Sequence, residues 1–162
     1  MVTMTLSLDA APLDAALGDA IRRATDMTPL MRRIGNVLET SVSERFEQSK
    51  GPDGGPWPVS IRAREEGGQT LIDSARLRDS IVTEVEPRAV EIGSSLDYAA
   101  THQFGATIKP RDAKALAFRL PGGQFVTVGQ VEIPARPFLG FDARDEADIG
   151  DTVEAYFREA FQ

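Results

Sequence analysis

The chain has 162 residues and a mass of 17.6 kDa, with 41% hydrophobic and 27% charged residues, a balance that fits one soluble domain with a buried core and excludes a disordered tail. It contains no cysteine and one histidine, which excludes disulfides and thiolate metal sites and leaves little from which to build a zinc site or a Ser-His catalytic set. A net charge of −7 argues against general affinity for DNA or an anionic membrane.

Val2, Met4, Leu6 and Leu8 alternate with small or polar residues, the period of a strand with one buried face. This N-terminus has neither the basic start nor the cleavage site of a signal peptide. No apolar run approaches the ~20 residues a membrane span needs, so the chain is expected to stay in the cytosol where it is made. Asp9 and Pro12 read as a helix start, and Leu13, Ala16, Leu17, Ala20 and Ile21 share one helical face up to about Ala24. Thr28-Pro29 is a stronger start, a hydroxyl cap followed by proline at the first helical position. Leu30, Ile34, Val37, Leu38, Val42 and Phe46 then recur at three- and four-residue spacing, predicting a long helix that ends near Lys50.

Gly51 to Pro58 holds three glycines and three prolines, so neither helix nor strand continues through it. Trp57, the only tryptophan, sits between Pro56 and Pro58; it is expected to fold back onto the core, the alternative being a docking aromatic for a partner. Residues 59–69 carry Arg62, Arg64, Glu65, Glu66, Gly67 and Gly68. The whole stretch near 51–70 therefore reads as a mobile loop within a single domain, 1–162, able to order on assembly. A short helix is expected over Ile72 to Ser80. Ile81 to Glu86 and Ala89 to Gly93 read as a hairpin around Pro87-Arg88, and Leu116 to Leu120 and Gln124 to Val128 as a second around Pro121-Gly122-Gly123. In the second, Phe118 and Phe125 are expected to face the core.

Ile133 to Gly140 reads Ile-Pro-Ala-Arg-Pro-Phe-Leu-Gly. Its two prolines fix φ and push the preceding residues toward extended backbone. The result is a stiff strap that delivers Phe138 into a core or a neighbouring subunit and holds Arg136 ready for a carboxylate. Ile149, Val153, Tyr156, Phe157, Ala160 and Phe161 fall at helical spacing behind Asp142, Asp145, Glu146 and Asp148, where the helix dipole favours negative charge. These elements sum to an α+β fold: a mostly antiparallel sheet packed by an N-terminal helix pair and a C-terminal helix.

Little of the usual catalytic inventory is present. His102 has no second His or Cys to share a metal, and it is expected to bond a backbone group and order the Phe104-Gly105 turn. There is no Gly-x-Ser-x-Gly elbow and no phosphate loop ending in Gly-Lys. Acid pairs such as Glu65-Glu66 and Glu84 with Glu86 leave a small carboxylate-dependent cell-wall hydrolase as one alternative. Arg111, Lys114, Arg119 and Arg136, with Phe104 near them, leave a nucleic-acid-binding module as another. Charge is unevenly placed. Residues 101–137 hold 5 basic and 2 acidic side chains, and residues 138–162 hold 2 and 7.

Two strings in this order, Tyr-Ala-Ala-Thr-His-Gln-Phe-Gly over Tyr98 to Gly105 and the strap itself, together with Arg45-Phe46, the Gly51 to Pro58 turn, Leu71-Ile72 and Arg76 to Ile81, resemble the phage virion morphogenesis proteins, the tail-completion and Mu-type G group. The resemblance spans roughly residues 31–157. It implies a non-enzymatic assembly protein without cofactors, completing the tail or the head–tail junction as a ring of identical subunits. Its partners are then itself and other tail or neck proteins, with nucleic acid and membrane not expected, and its place the host cytoplasm during assembly and afterwards the virion. The family usually has glycine before the Arg-Leu pair, where this chain has Ala75; a Cβ strains a left-handed turn, so the local backbone is expected to differ. Because a ring needs two surfaces that fit head to tail, Arg111, Lys114 and Arg119 of one subunit are expected to face Asp145, Asp148 and Asp151 of the next.

Overall fold

The computed structural model describes residue 4 and residues 9–162; the strand expected from Val2 to Leu8 lies outside the described residues. Helices α1 (Ala11–Thr25) and α2 (Thr28–Gln48) lead into a short α3 (Ile61–Glu66), a 3-10 turn (Arg78–Ser80), the hairpin β1 (Ile81–Val85) and β2 (Val90–Ser94), and α4 (Ala99–Phe104). Strands β3 (Ala106–Ile108), β4 (Leu116–Arg119), β5 (Phe125–Val128) and β6 (Val131–Ile133) follow, then α5 (Ala143–Arg158) and a last 3-10 turn (Glu159–Phe161). The architecture is α+β. Its antiparallel pairing is distributed, among the described residues, over three two-stranded ribbons: β1 with β2, β3 with β6, and β4 with β5.

The spine is α2, because its apolar residues at helical spacing enter two clusters at once. Leu30, Ile34 and Leu38 close around Tyr156 of α5, while Val42 and Phe46 join Trp57, Leu77, Ala99 and Phe138. Each fully buried Leu, Ile or Phe contributes about 1.5–3 kcal/mol relative to exposure, so this helix carries much of the core. Gly35 lets the β1–β2 ribbon lie close on it: a Cβ there would meet Thr83 Oγ1 and Val90 Cγ2 at 3.3 Å. The N-terminus differs from the expected cap. Thr28 is already helical, and the Asp26 carboxylate accepts from its N–H at 3.0 Å.

Other expectations are corrected. The face of α1 formed by Leu13, Leu17 and Ile21 stays 46–66% exposed; α1 is held instead by Arg23, whose Nη1 donates to the Tyr156 carbonyl at 2.9 Å and pairs with Glu159 at 3.0 Å. Within the stretch near 51–70 lies a short helix that the sequence did not announce, α3, capped by Ser60 Oγ accepting from the Ala63 N–H, and closed by Arg62 Nη2 donating to the Gln69 and Ile72 carbonyls at 2.7 and 2.8 Å. Of the helix expected over 72–80 only Arg78–Ser80 forms. Leu71 and Ala75 have left-handed φ of +64° and +60°, which no helix tolerates; Ala75 adopts the glycine-like turn in spite of its Cβ. Phe118 and Phe125 are 36% and 63% exposed. Phe118 pairs with Val126 and Arg119 with Phe125, so the two aromatics lie on opposite faces of an uncovered ribbon and cannot share one core.

Candidate functional site: the strap, the nested hairpin and the surfaces beside them

The two sequence strings that frame residues 98–140 meet at the base of a nested hairpin in which β3–β6 is the stem and β4–β5 the tip. Gln103, on α4, clamps the strap: its Oε1 accepts from the N–H groups of Phe138 and Leu139 at 3.0 Å each, and its Nε2 donates to the Leu139 carbonyl at 2.9 Å. Gly105, φ +75°, packs so closely that a Cβ would stand 2.8 Å from Ala135 N. From the other side Arg45 of α2 donates to the carbonyls of Phe138 and Gly140 at 3.3 and 2.8 Å. The strap is therefore fixed to α2 and α4 by backbone contacts that depend little on the identities of its own side chains.

Phe138 is fully buried, 5.3 Å from Phe46 between ring centroids, and Phe46 meets Trp57 edge-on at 5.6 Å. Trp57 is buried too, its Nε1 donating to the Pro137 carbonyl at 2.9 Å, so it folds back onto the core as expected and is no docking aromatic. Asp145 corrects the expected acidic trio. It is 2% exposed, bonded to Arg45 Nη2 and joined to Asp142 in a capping box at the start of α5, so it cannot serve as a surface charge. Neither Gln103 nor the Arg45–Asp145 pair was a sequence candidate. The acids before α5 signalled a helix start, but nothing local signalled an arginine one hundred residues away.

Arg136 and His102 are coupled through the main chain: the Arg136 N–H donates to the His102 carbonyl at 2.7 Å. That carbonyl, not the imidazole, holds the turn. Nδ1 of His102 is buried with no hydrogen-bond partner among the described residues, correcting the expected imidazole bond. Burial, and then the Arg136 charge, hold the imidazole pKa below its ordinary value. Arg136 is 6% exposed, its Nε donates to the Pro58 carbonyl at 2.7 Å, and burial lowers its pKa. The carboxylate it was expected to meet is absent: among the described residues no acid lies within ion-pair distance.

The remaining candidates lie at the surface. Phe104 is 77% exposed at the end of α4. Arg111, Lys114 and Arg119, in and before β4, are exposed and make no ion pair among the described residues. Asp148 and Asp151 are exposed on α5 and line, with Asn36, Thr40 and Glu44 of α2, an open groove of about 400 Å3. Arg144 bridges the rim of that groove, 2.7 Å from Glu44 and 3.6 Å from Asp148. No group of three or more His, Asp and Glu among the described residues is placed to hold a metal ion, and no described helix is long and apolar enough to cross a membrane.

Comparison with known proteins gives one consistent result. The profile of the phage virion morphogenesis family matches residues 8–158. The Mu-like prophage FluMu G protein 2 of Haemophilus influenzae is 31% identical over 150 residues, 93% of this chain and 92% of that protein. The putative capsid assembly protein G of Escherichia phage Mu is 29% identical over 161 residues, 93% of this chain and 91% of that protein. No solved structure matches.

Proposed function

We propose, from the premise that the chain belongs to the phage virion morphogenesis family, that it is a non-enzymatic building block that completes the tail or the head–tail junction as a ring of identical subunits. On this reading it assembles in the host cytoplasm, contacts other tail or neck proteins, and ends in the virion. The observation that carries it is the pair of unlike surfaces: an exposed basic tip at Arg111, Lys114 and Arg119 without ion-pair partners among the described residues, and a groove between α2 and α5 where Asp151 has no ion pair among the described residues and Glu44 and Asp148 share one exposed cation, Arg144. A closed ring repeats one heterologous contact, which needs two complementary surfaces on each subunit, and a hairpin tip entering a neighbour's groove supplies them. Asp145 plays no part, being spent inside the fold on Arg45.

Exposed charge pairs each contribute little, so the electrostatic share should show as register and salt sensitivity. Sedimentation velocity is expected to show self-association weakening as salt shortens the screening length from ~10 to ~3 Å. Reversing Arg111, Lys114 and Arg119 to Glu should break the assembly, and adding Asp148→Lys with Asp151→Lys should restore part of it. Assembly indifferent to both salt and reversal would refute this contact.

A further inference from the structure

A second cleft, of about 290 Å3, opens beside the strap and is walled by Arg62, Asp73, Ser74, Tyr98, His102 and Arg136. It contains a guanidinium and an imidazole that the fold leaves incompletely satisfied. Arg136 is 6% exposed, and among the described residues only its Nε has a side-chain hydrogen-bond partner, the Pro58 carbonyl. His102 Nδ1 is buried and unpaired among the described residues. A charge withdrawn from water without a counter-charge is costly unless something else neutralises it. Asp73, on the same wall, does not: its side chain is 80% exposed, and its nearest cation is Arg62 Nε at 3.7 Å. Arg62 is itself committed to the Gln69 and Ile72 carbonyls.

We propose that this cleft is a carboxylate receptor, taking the side chain of an Asp or Glu from a second protein chain of the particle. The two Nη nitrogens left on Arg136 match the two oxygens of one carboxylate. Ser74 and Tyr98 add hydroxyls at the rim, while His102, whose Nδ1 is closed off from solvent, lines the wall as a reporter of the bound charge and not as a donor to it. A phosphate would bring a second negative charge toward Asp73, which a carboxylate does not; Arg76, exposed and without an ion pair among the described residues, also lines the cleft and offers that charge a second guanidinium, so the phosphate arm of the titration below decides between the two anions. Tyr98 stands edge-on to the His102 ring at 6.0 Å between centroids, so the imidazole is held at the cleft wall before any ligand arrives. The inference does not depend on the ring, because it concerns a different surface from the hairpin tip and the α2–α5 groove.

The chain has one histidine, so its imidazole resonances report on this cleft without ambiguity. The experiment titrates the full-length protein with N-acetylglutamate α-amide, which carries one carboxylate, and in parallel with inorganic phosphate and with chloride at matched ionic strength. The expected result is a saturable shift with the carboxylate probe and none with chloride. The His102 pKa should rise by about one unit on saturation, because a nearby negative charge favours the imidazolium. Arg136→Gln should remove the response while leaving a folded protein; if that variant does not fold, the wild-type titration decides alone. A shift that does not saturate, or that chloride reproduces, would overturn the proposal. A response tighter to phosphate than to carboxylate would overturn it as well and reassign the cleft to phosphoryl groups.

Discussion

Truncating Phe138 to alanine tests whether the strap is a brace inside the subunit. Phenylalanine-to-alanine changes in cores cost about 3–5 kcal/mol, the higher values where the surroundings cannot collapse into the hole. Here collapse is opposed. The main chain at Phe138 and Leu139 is tied on one side to Gln103 Oε1 and on the other to Arg45 Nη1, and Phe46 is itself fully buried against Trp57. A loss of about 4–5 kcal/mol is therefore expected, a large part of the 5–15 kcal/mol that holds a typical domain. Phe138→Leu keeps most of the apolar volume and should cost only about 1–1.5 kcal/mol. Urea unfolding followed by the fluorescence of Trp57, the single tryptophan, gives the midpoint directly. Phe104→Ala, at a position 77% exposed, is the control and should stay within about 0.5 kcal/mol of wild type. If Phe138→Ala loses less than about 1 kcal/mol with an unchanged slope, the account of the strap as an internal brace is wrong.

Two further outcomes follow from local geometry. Ala75→Gly should stabilise the fold by about 0.5–1 kcal/mol, since relief of a left-handed Cβ exceeds the added freedom of the unfolded chain; thermal unfolding should show a rise of about 2–3 °C, and a fall would mean that the Ala75 methyl packs better than its backbone is strained. Arg33 and then Arg23 depress the Glu159 pKa from 4.5 to about 2. A depressed carboxylate stabilises the fold above its unfolded pKa and loses that contribution as pH falls through the folded one, so wild-type stability should decline between pH 4.5 and 2. Glu159→Gln should lack that part of the decline, and identical acid profiles for the two proteins would rule the triad out as its source.

The elements legible in the sequence were those whose signal is local. α2, α5 and both expected hairpins follow from apolar period, proline at a helix start and turn residues, and they lie within a few residues of where those signals put them. What stayed hidden depended on partners far along the chain or on backbone that side-chain pattern does not report. Leu71, Ile72, Leu77 and Ile81 mimic a helical face, yet all pack on one cluster from a turn with two left-handed residues. Phe118 and Phe125 looked like a core pair until the turn fixed the register: Leu120 N donates to the Gln124 carbonyl at 2.8 Å, which puts the two rings on opposite faces. At the candidate site, Arg136 was singled out for its proline cage, but its burial and the missing acid belong to the tertiary structure alone.

The division of labour between the two strings bears on where a partner can bind. Tyr98 to Gly105 enters the nested hairpin and Ile133 to Gly140 leaves it, and the contacts that join them, Gln103 to Phe138 and Leu139, Gly105 against Ala135, and the His102 carbonyl to the Arg136 N–H, all lie at its base. Phe138 and Trp57 anchor that base in the core. The strap therefore spends Phe138 inside the subunit, with Leu139 partly buried against the same cluster. In the ring proposed above its effect is indirect: it sets the direction in which a four-strand nested hairpin carries Arg111, Lys114 and Arg119. A short two-stranded ribbon is only marginally stable by itself, so a tip of this kind gains order when a neighbour covers it. Rigidity at the base and adaptability at the tip are the combination that a repeated head-to-tail contact requires. The same base also presents Arg136 beside the hairpin, so a carboxylate bound there would lie next to the element proposed to reach an adjoining subunit.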